Sequence, residues 1–309
     1  MPLAENYRHQ VALLIMVVPF VAAEKCFALK GGTAINLFVR DMPRFSVDLD
    51  LTYLPVADRE HSLSEIDAAL KRIEASITAG IPGTALQQSA PKGETRITKL
   101  IVRADDAQMK IEVTPVLRGC VYDPATRSVT PRVEETFGFA EIQVVSFEDL
   151  YGGKIVAALD RQHPRDLFDV RDLLANEGIS DELRRAFIVY LLSTNRPFSE
   201  LLEPTRIDIS EEFTRGFEGM SEAIVTVEEL VKAREDMIAE VVGKMPMEHR
   251  KFLVSLKRGE PDWKLLALPG AEELPAVRWR LQNLAKMDKN KREVLIARLQ
   301  KVLKLETEA

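Results

Sequence analysis

Hydrophobic positions along the chain fall into two regimes. Through residue 145 the apolar spacing switches between period two and period 3.6. Beyond it the spacing is almost wholly helical. Residues 11–23 (VALLIMVVPFVAA) form a run of thirteen positions without a charge. A bilayer span takes about 18 or more apolar residues, so the run reads instead as a buried first helix, ended or kinked near Pro19. A secretory leader is the competing reading, because Val21 and Ala23 resemble a small-residue cleavage site. Against it, Glu5 stands beside Arg8, Pro19 interrupts the run, and a paired-glycine turn begins at Gly31.

Residues 26–30 read as a short strand, Gly31-Gly32 as a turn and 33–39 as a helix start. Alternation and β-branched content predict a strand over 45–53. Ile66, Leu70 and Ile73 give helical spacing over 64–76, and 80–95 is a loop by composition. Residues 96–103 and 109–116 predict a hairpin turning at Asp105-Asp106. Irregular or short β structure is expected over 118–140, and another strand over 142–145. A helix then runs from a cap at Ser146 to about Arg161, broken by His163-Pro164, with a second over 165–175. The remainder reads as mostly helical, with loops near Pro204, Pro261 and Pro269-Gly270. The domains expected are therefore 1–178, mixed α and β, and 179–309, helical.

Composition narrows the class. The chain has 309 residues, 46% hydrophobic and 29% charged, and a net charge of −6. That suits one or two globular domains and excludes a polybasic molecule whose whole surface binds nucleic acid. Residues 278–304 depart from it, with nine Lys/Arg against two Asp/Glu. Such a segment can track a phosphate backbone. Cys26 and Cys120 make neither a disulfide framework nor a zinc motif, so a reduced, cytoplasmic setting is expected.

Candidate chemistry lies in four places. Gly31, Gly32 and Thr33 let backbone approach a phosphate closely. In a strand, Ser46, Asp48 and Asp50 would share one face and Val47, Leu49 and Leu51 the other. Two carboxylates projecting together repel each other unless a cation lies between them, and Mg²⁺ takes carboxylate and phosphate oxygens. Glu112, between Ile111 and Val113, would add a third acid if its strand lies beside that of Asp48. Lys154 stands on an apolar helix after Gly152-Gly153, a pair that lowers helix propensity by about 1 kcal/mol per glycine and suggests a close approach on that face. Arg161, Arg165, Asp166 and Asp169 follow. Arg165 and Asp169 are spaced to pair along one helix.

In order, Lys30-Gly31-Gly32-Thr33, then 45–51 with Asp48 and Asp50, 110–113 with Glu112, Lys154 and 165–170 resemble the AbiEii/AbiGii-type nucleotidyltransferases. These are toxin halves of bacterial abortive-infection and toxin–antitoxin pairs, and they include the mycobacterial MenT toxins. Leu274-Pro275 and the segment from Trp279 to Leu284 are similar to that family too. The resemblance implies an α+β, polymerase-β-like nucleotidyltransferase domain, a small mixed sheet flanked by helices, followed by a mainly helical C-terminal domain. It implies Mg²⁺ or Mn²⁺ held by Asp48, Asp50 and Glu112, and catalysis by these with Lys154 and Asp166. Gly31, Gly32, Thr33, Ser46, Lys154, Arg161 and Arg165 would bind the NTP. The expected acceptor is RNA, tRNA in particular, and the expected protein partner an antitoxin. Alternatives are a protein or small-molecule acceptor, or a catalytically silent partner-binding protein of the same fold.

Overall fold

The computed structural model describes residues 2–305; Met1 and residues 306–309, which the expected domains include, lie outside the described residues. The chain divides into two compact units: Met1–Ser146 with Phe217–Ile224, and Phe147–Gly216 with Val225–Ala309. The helices over 147–161 and 164–176, placed by sequence before a boundary at 178, thus belong to the second unit.

The first unit holds α1 (Pro2–Ala22), β1 (Phe27–Lys30), α2 (Gly31–Thr33) continued by a π-helical stretch Ala34–Val39, β2 (Asp48–Tyr53) and α3 (Arg59–Gly80). After these come β3 (Ala85–Ser89), β4 (Lys99–Ala104), β5 (Ala107–Arg118), β6 (Ala125–Ser128), α4 (Pro131–Phe137) and β7 (Glu141–Val144). Seven strands form one mixed sheet in the order β3-β4-β5-β2-β1-β7-β6. The pairs β1/β7 and β2/β5 are parallel; β1/β2, β3/β4, β4/β5 and β6/β7 are antiparallel. The expected hairpin is β4–β5, with Asp105 at positive φ in its turn.

Alternation sends Leu29, Leu49, Leu51, Leu100, Ile111 and Val113 into the core, each at most 1% exposed. The run 11–23 is a buried helix. Val11, Leu14, Val17, Val18 and Val21 are fully or nearly fully covered, and α1 packs on β5, β7 and α3. It continues past Pro19 to Ala22 rather than ending there, because its buried face extends on both sides of the proline. No described helix is long and apolar enough to cross a membrane. In α3 the carboxylate of Asp58 caps the start by accepting from the His61 amide, and Leu63, Ile66, Leu70, Ile73 and Ile77 are buried.

Three local expectations change. The stretch 80–95 contains β3, an edge strand whose residues are only partly covered or exposed, so no apolar alternation marks it. Helix α4 lies inside the stretch 118–140. The strand expected from Phe45 begins only at Asp48. Before it, the Phe45 amide donates to the Met220 carbonyl at 2.9 Å and Arg44 bridges Ser221. Residues 217–224 thus return to the first unit as a strap on the loop leading into β2, with Phe217 and Met220 buried.

The second unit is helical: α5 (Phe147–Arg161), α6 (Pro164–Asn176), α7 (Asp181–Leu192), α8 (Phe198–Leu202), α9 (Ser210–Gly216), α10 (Val227–Ile238), α11 (Met247–Arg258), α12 (Trp263–Leu266), α13 (Pro275–Ala285) and α14 (Lys289–Val302). The close approach inferred at Gly152-Gly153 is that of a neighbouring helix. A methyl added at Gly152 would lie 2.9 Å from the Phe187 amide nitrogen of α7, and one at Gly153 would lie 3.0 Å from the Tyr190 ring. Tyr190 donates to the buried Asp149 carboxylate at 3.0 Å, fixing the same contact.

Part of the basic C-terminal segment is structural. Arg280 donates to the carbonyls of Leu192 and Thr194, and Arg292 to those of Arg258 and Leu284. Both guanidiniums thereby cap helix C-termini, where cations are favoured. Between them Lys257 is 4% exposed, with its ammonium 5.5 Å from the Phe198 ring centre. Burial, aided by Arg280, Arg292 and Lys291, pushes its pKa down to about 8. Of the two tryptophans, Trp263 packs on Phe252, whereas Trp279 is 43% exposed.

Gly152→Ala is expected to lower stability in denaturant melts by about 1–3 kcal/mol through overpacking. Gly243→Ala, where a methyl meets nothing within 4 Å, should change it by about 0.5 kcal/mol or less. Because folded Lys257 holds its proton less tightly than the unfolded residue, stability rises with pH from about 8 toward the ordinary lysine value of 10.5. Lys257→Met should therefore raise the melting temperature at pH 7, and this gain should shrink by pH 10 in calorimetry.

Candidate active site

Strand register assembles a charged surface on the sheet face opposite the aliphatic one. Lys30 pairs with Asp50, Asp50 with Glu112, and Glu112 with Lys99, so four adjacent strands carry one continuous row, Lys30-Asp50-Glu112-Lys99. One step along the strands, Asp48 pairs with Lys110. Directly registered residues share a face, so all six side chains rise from the same side of the sheet. Ion pairs follow the register. Lys99 Nζ lies 2.9 Å from Glu112 Oε2, and Lys110 Nζ lies 3.4 Å from Asp48 Oδ2. Lys30 reaches across β2 to donate to Thr114 Oγ1 at 2.8 Å. Burial pushes its pKa down, while Asp50 and Glu112 favour its charged form.

The glycine loop borders this row. Gly31 has φ +74°, and a methyl there would lie 2.7 Å from Asp50 Oδ2. At Gly32 a methyl would lie 2.9 Å from Arg44 Nη2 and 3.0 Å from Ser46 Oγ. Both positions exclude a side chain because polar groups of the neighbouring loop and strand fill the space. Thr33, buried, donates from Oγ1 to the Asp48 carbonyl at 2.5 Å, with Ser46 Oγ 3.0 Å away. Ser46 precedes β2, so it joins the group through this hydroxyl contact and not, as the sequence suggested, as part of the strand face.

Within the second unit, Lys154 is 7% exposed and lies 2.8 Å from Asp166 Oδ1 and 2.9 Å from Asp169 Oδ2. Arg161 adds contacts of 2.5 and 3.0 Å to Asp166. Burial alone would raise the Asp166 pKa, but Lys154 and Arg161 overcome it and hold the carboxyl well below its usual range. Asp169 thus pairs with Lys154, not with Arg165 as helical spacing allowed. Arg165 follows the His163 cap of α6, where His163 Nδ1 accepts from its amide. Lys154 is the counter-ion of two buried acids, not an exposed cation on a helix face.

Hard carboxylate oxygens on Asp48, Asp50 and Glu112 suit Mg²⁺ or Mn²⁺, and the register brings Asp50 and Glu112 side by side. As the side chains stand, no three His, Cys, Asp or Glu residues among those described are gathered closely enough to hold an ion. A divalent ion would take Glu112 from Lys99 and Asp48 from Lys110. Sequence reasoning missed the three lysines. The signal existed: with the turn at Asp105-Asp106, Lys99 falls opposite Glu112, and Lys110 lies two residues before Glu112 on the same face.

Comparison with known proteins bears on this arrangement. A search of curated proteins finds no match. Among solved structures the chain is similar to MenT4, a nucleotidyltransferase toxin from Mycobacterium tuberculosis H37Rv, with a TM-score of 0.62 and 14% identity over 96% of this chain and 94% of that one. At that identity the likeness speaks for the fold, a mixed sheet with a helical C-terminal region. The family model described as nucleotidyl transferase AbiEii toxin, Type IV TA system, matches residues 13–283. Spanning most of the length, from α1 into α13, that match makes the chain a member of the AbiEii nucleotidyltransferase toxin family.

Proposed function

We propose that the chain transfers a nucleotide from an NTP onto a terminal hydroxyl of RNA, with the 3′ end of tRNA as the acceptor, releasing pyrophosphate. The acceptor oxygen bonds to the α-phosphorus as the bond to the bridging oxygen breaks. The hydroxyl proton passes to Glu112 as general base. The observation that carries the reading is the pairing of Asp50 with Glu112, two residues along from Asp48, beside the Gly31-Gly32 loop. Asp48, Asp50 and Glu112 would hold Mg²⁺ or Mn²⁺, which when bound lowers the charge cost of phosphoryl transfer and acidifies the attacking hydroxyl. Gly31, Gly32 and Thr33 present backbone to the β- and γ-phosphates, and Ser46 and Thr33 fix the start of β2 at Asp48.

Lys154, Asp166, Asp169 and Arg161 keep a place in this reading as a charge cluster that shapes α5 and α6, with Arg161 its exposed member, and Arg165 stands beside it in the first turn of α6. RNA as acceptor is supported by the C-terminal helices. Their arginines are engaged in caps and ion pairs, which leaves Lys286, Lys289, Lys291, Lys301 and Lys304 exposed to solvent. Family membership implies a cognate antitoxin as protein partner.

With α-labelled NTPs, Mg²⁺ and separate RNA, protein and small-molecule acceptors, label should appear in the RNA alone. Asp48→Ala should reduce incorporation at least 100-fold, of order 3 kcal/mol in the barrier, with the melting temperature retained. An active, folded Asp48→Ala protein refutes the assignment. Lys154→Met should act differently. It leaves Asp166 and Asp169 buried without their ammonium and should cost about 3–5 kcal/mol of stability in denaturant titration.

A further inference from the structure

The charged row has a direction. The Gly31-Gly32 loop follows β1 at one end, and the acids lie in the middle on β2 and β5; Lys110 stands on β5 opposite Asp48, and Lys99 stands on β4 beyond Glu112. Nucleotidyl transfer is in line, with the attacking oxygen entering opposite the departing pyrophosphate. If the glycine loop holds the pyrophosphate end, the acceptor enters from the side of β5 and β4. Two lysines stand there, with side chains 44% and 30% exposed, each touching one of the acids. Surface ion pairs of this kind add little to stability. Once a divalent ion takes the carboxylates, both ammoniums lose their partners and face the incoming acceptor. A neutral hydroxyl compound or a serine side chain offers them a hydrogen-bond acceptor, as Thr114 does for Lys30, but no opposite charge. A polynucleotide end carries an anionic phosphodiester one residue back from its terminal hydroxyl.

We infer that Lys99 and Lys110 bind the terminal phosphodiester of the acceptor strand, making a polynucleotide end the substrate class that this face selects. The inference rests on the transferase reading above and goes beyond it by assigning acceptor recognition to two residues outside the acidic set. Lys30 has a separate part: half-buried and bonded to Thr114, it stays with Asp50 and Glu112 at the nucleotide end of the row.

The test uses the full chain with Lys99→Gln, Lys110→Gln, the double variant and the corresponding arginine replacements. A fluorescein-labelled single-stranded oligoribonucleotide of ten bases is titrated by anisotropy at several salt concentrations with Mg²⁺ present. The double glutamine variant should bind roughly 10-fold more weakly and lose about 0.7 from the slope of log K against log salt, the share of the one phosphate both lysines hold. The arginine variants should retain most of the affinity. In transfer assays the KM for RNA should rise while that for NTP stays within about twofold. An unchanged salt slope, absence of RNA binding by the parent chain, or a loss confined to the NTP KM overturns the inference. Lysine-dependent RNA binding without any transfer supports it and sinks the transferase reading instead.

Discussion

Parallel pairing of β2 with β5 sets Asp50 against Glu112 and Asp48 against Lys110, and the charged face depends on that register. A slip of one residue would turn both carboxylates of β2 into the aliphatic layer and bring Leu49 and Leu51 to the polar side. The register is held from both faces. Below, Leu49, Leu51, Ile111 and Val113 are fully or nearly fully buried. Above, Lys99 and Lys110 neutralise acids that would otherwise repel one another across the sheet. The lysines that allow three carboxylates to share one face are the same two to which the proposal assigns the acceptor phosphate.

The two units handle buried charge differently. In the first, the acids are half-exposed and paired with half-exposed lysines, an arrangement that exchanges readily for ions from solution. In the second, Asp166, Asp169 and Lys154 are almost completely buried and matched to one another, so exchange would leave a desolvated charge behind. Chemistry on phosphates suits the first arrangement; fixing two helices suits the second. Gly152 and Gly153 add to the second by letting α5 approach α7 at backbone distance.

Much of this was legible in the sequence. Alternation over 45–53 and 109–116 located both candidate strands and assigned their faces, the first from three residues too early, and the Asp105-Asp106 turn held, unread, the hairpin register from which Lys99 follows. Helical spacing gave α1, α3, α5 and α6, and the ordered motifs pointed to the family. The remainder depended on contacts distant along the chain. Edge strand β3 has no buried face to impose a pattern, and the strap at 217–224 returns from another unit. Lys154 read as available cation because its partners lie across a helix break, and the close approach at the glycine pair stayed without a named partner because Phe187 and Tyr190 lie more than thirty residues away. Local pattern reports which face a residue occupies; the neighbour opposite is set by packing.

The most direct measurement is a crystal structure of the full chain with Mn²⁺ and a non-hydrolysable NTP, read by anomalous scattering. The account predicts a manganese peak at coordination distance, about 2.2 Å, from Asp50 and Glu112, with the Lys99–Glu112 pair opened and the triphosphate against the Gly31-Gly32 loop. Nucleotide and manganese bound elsewhere, with Lys99 still closed on Glu112 and Lys110 on Asp48, would contradict it.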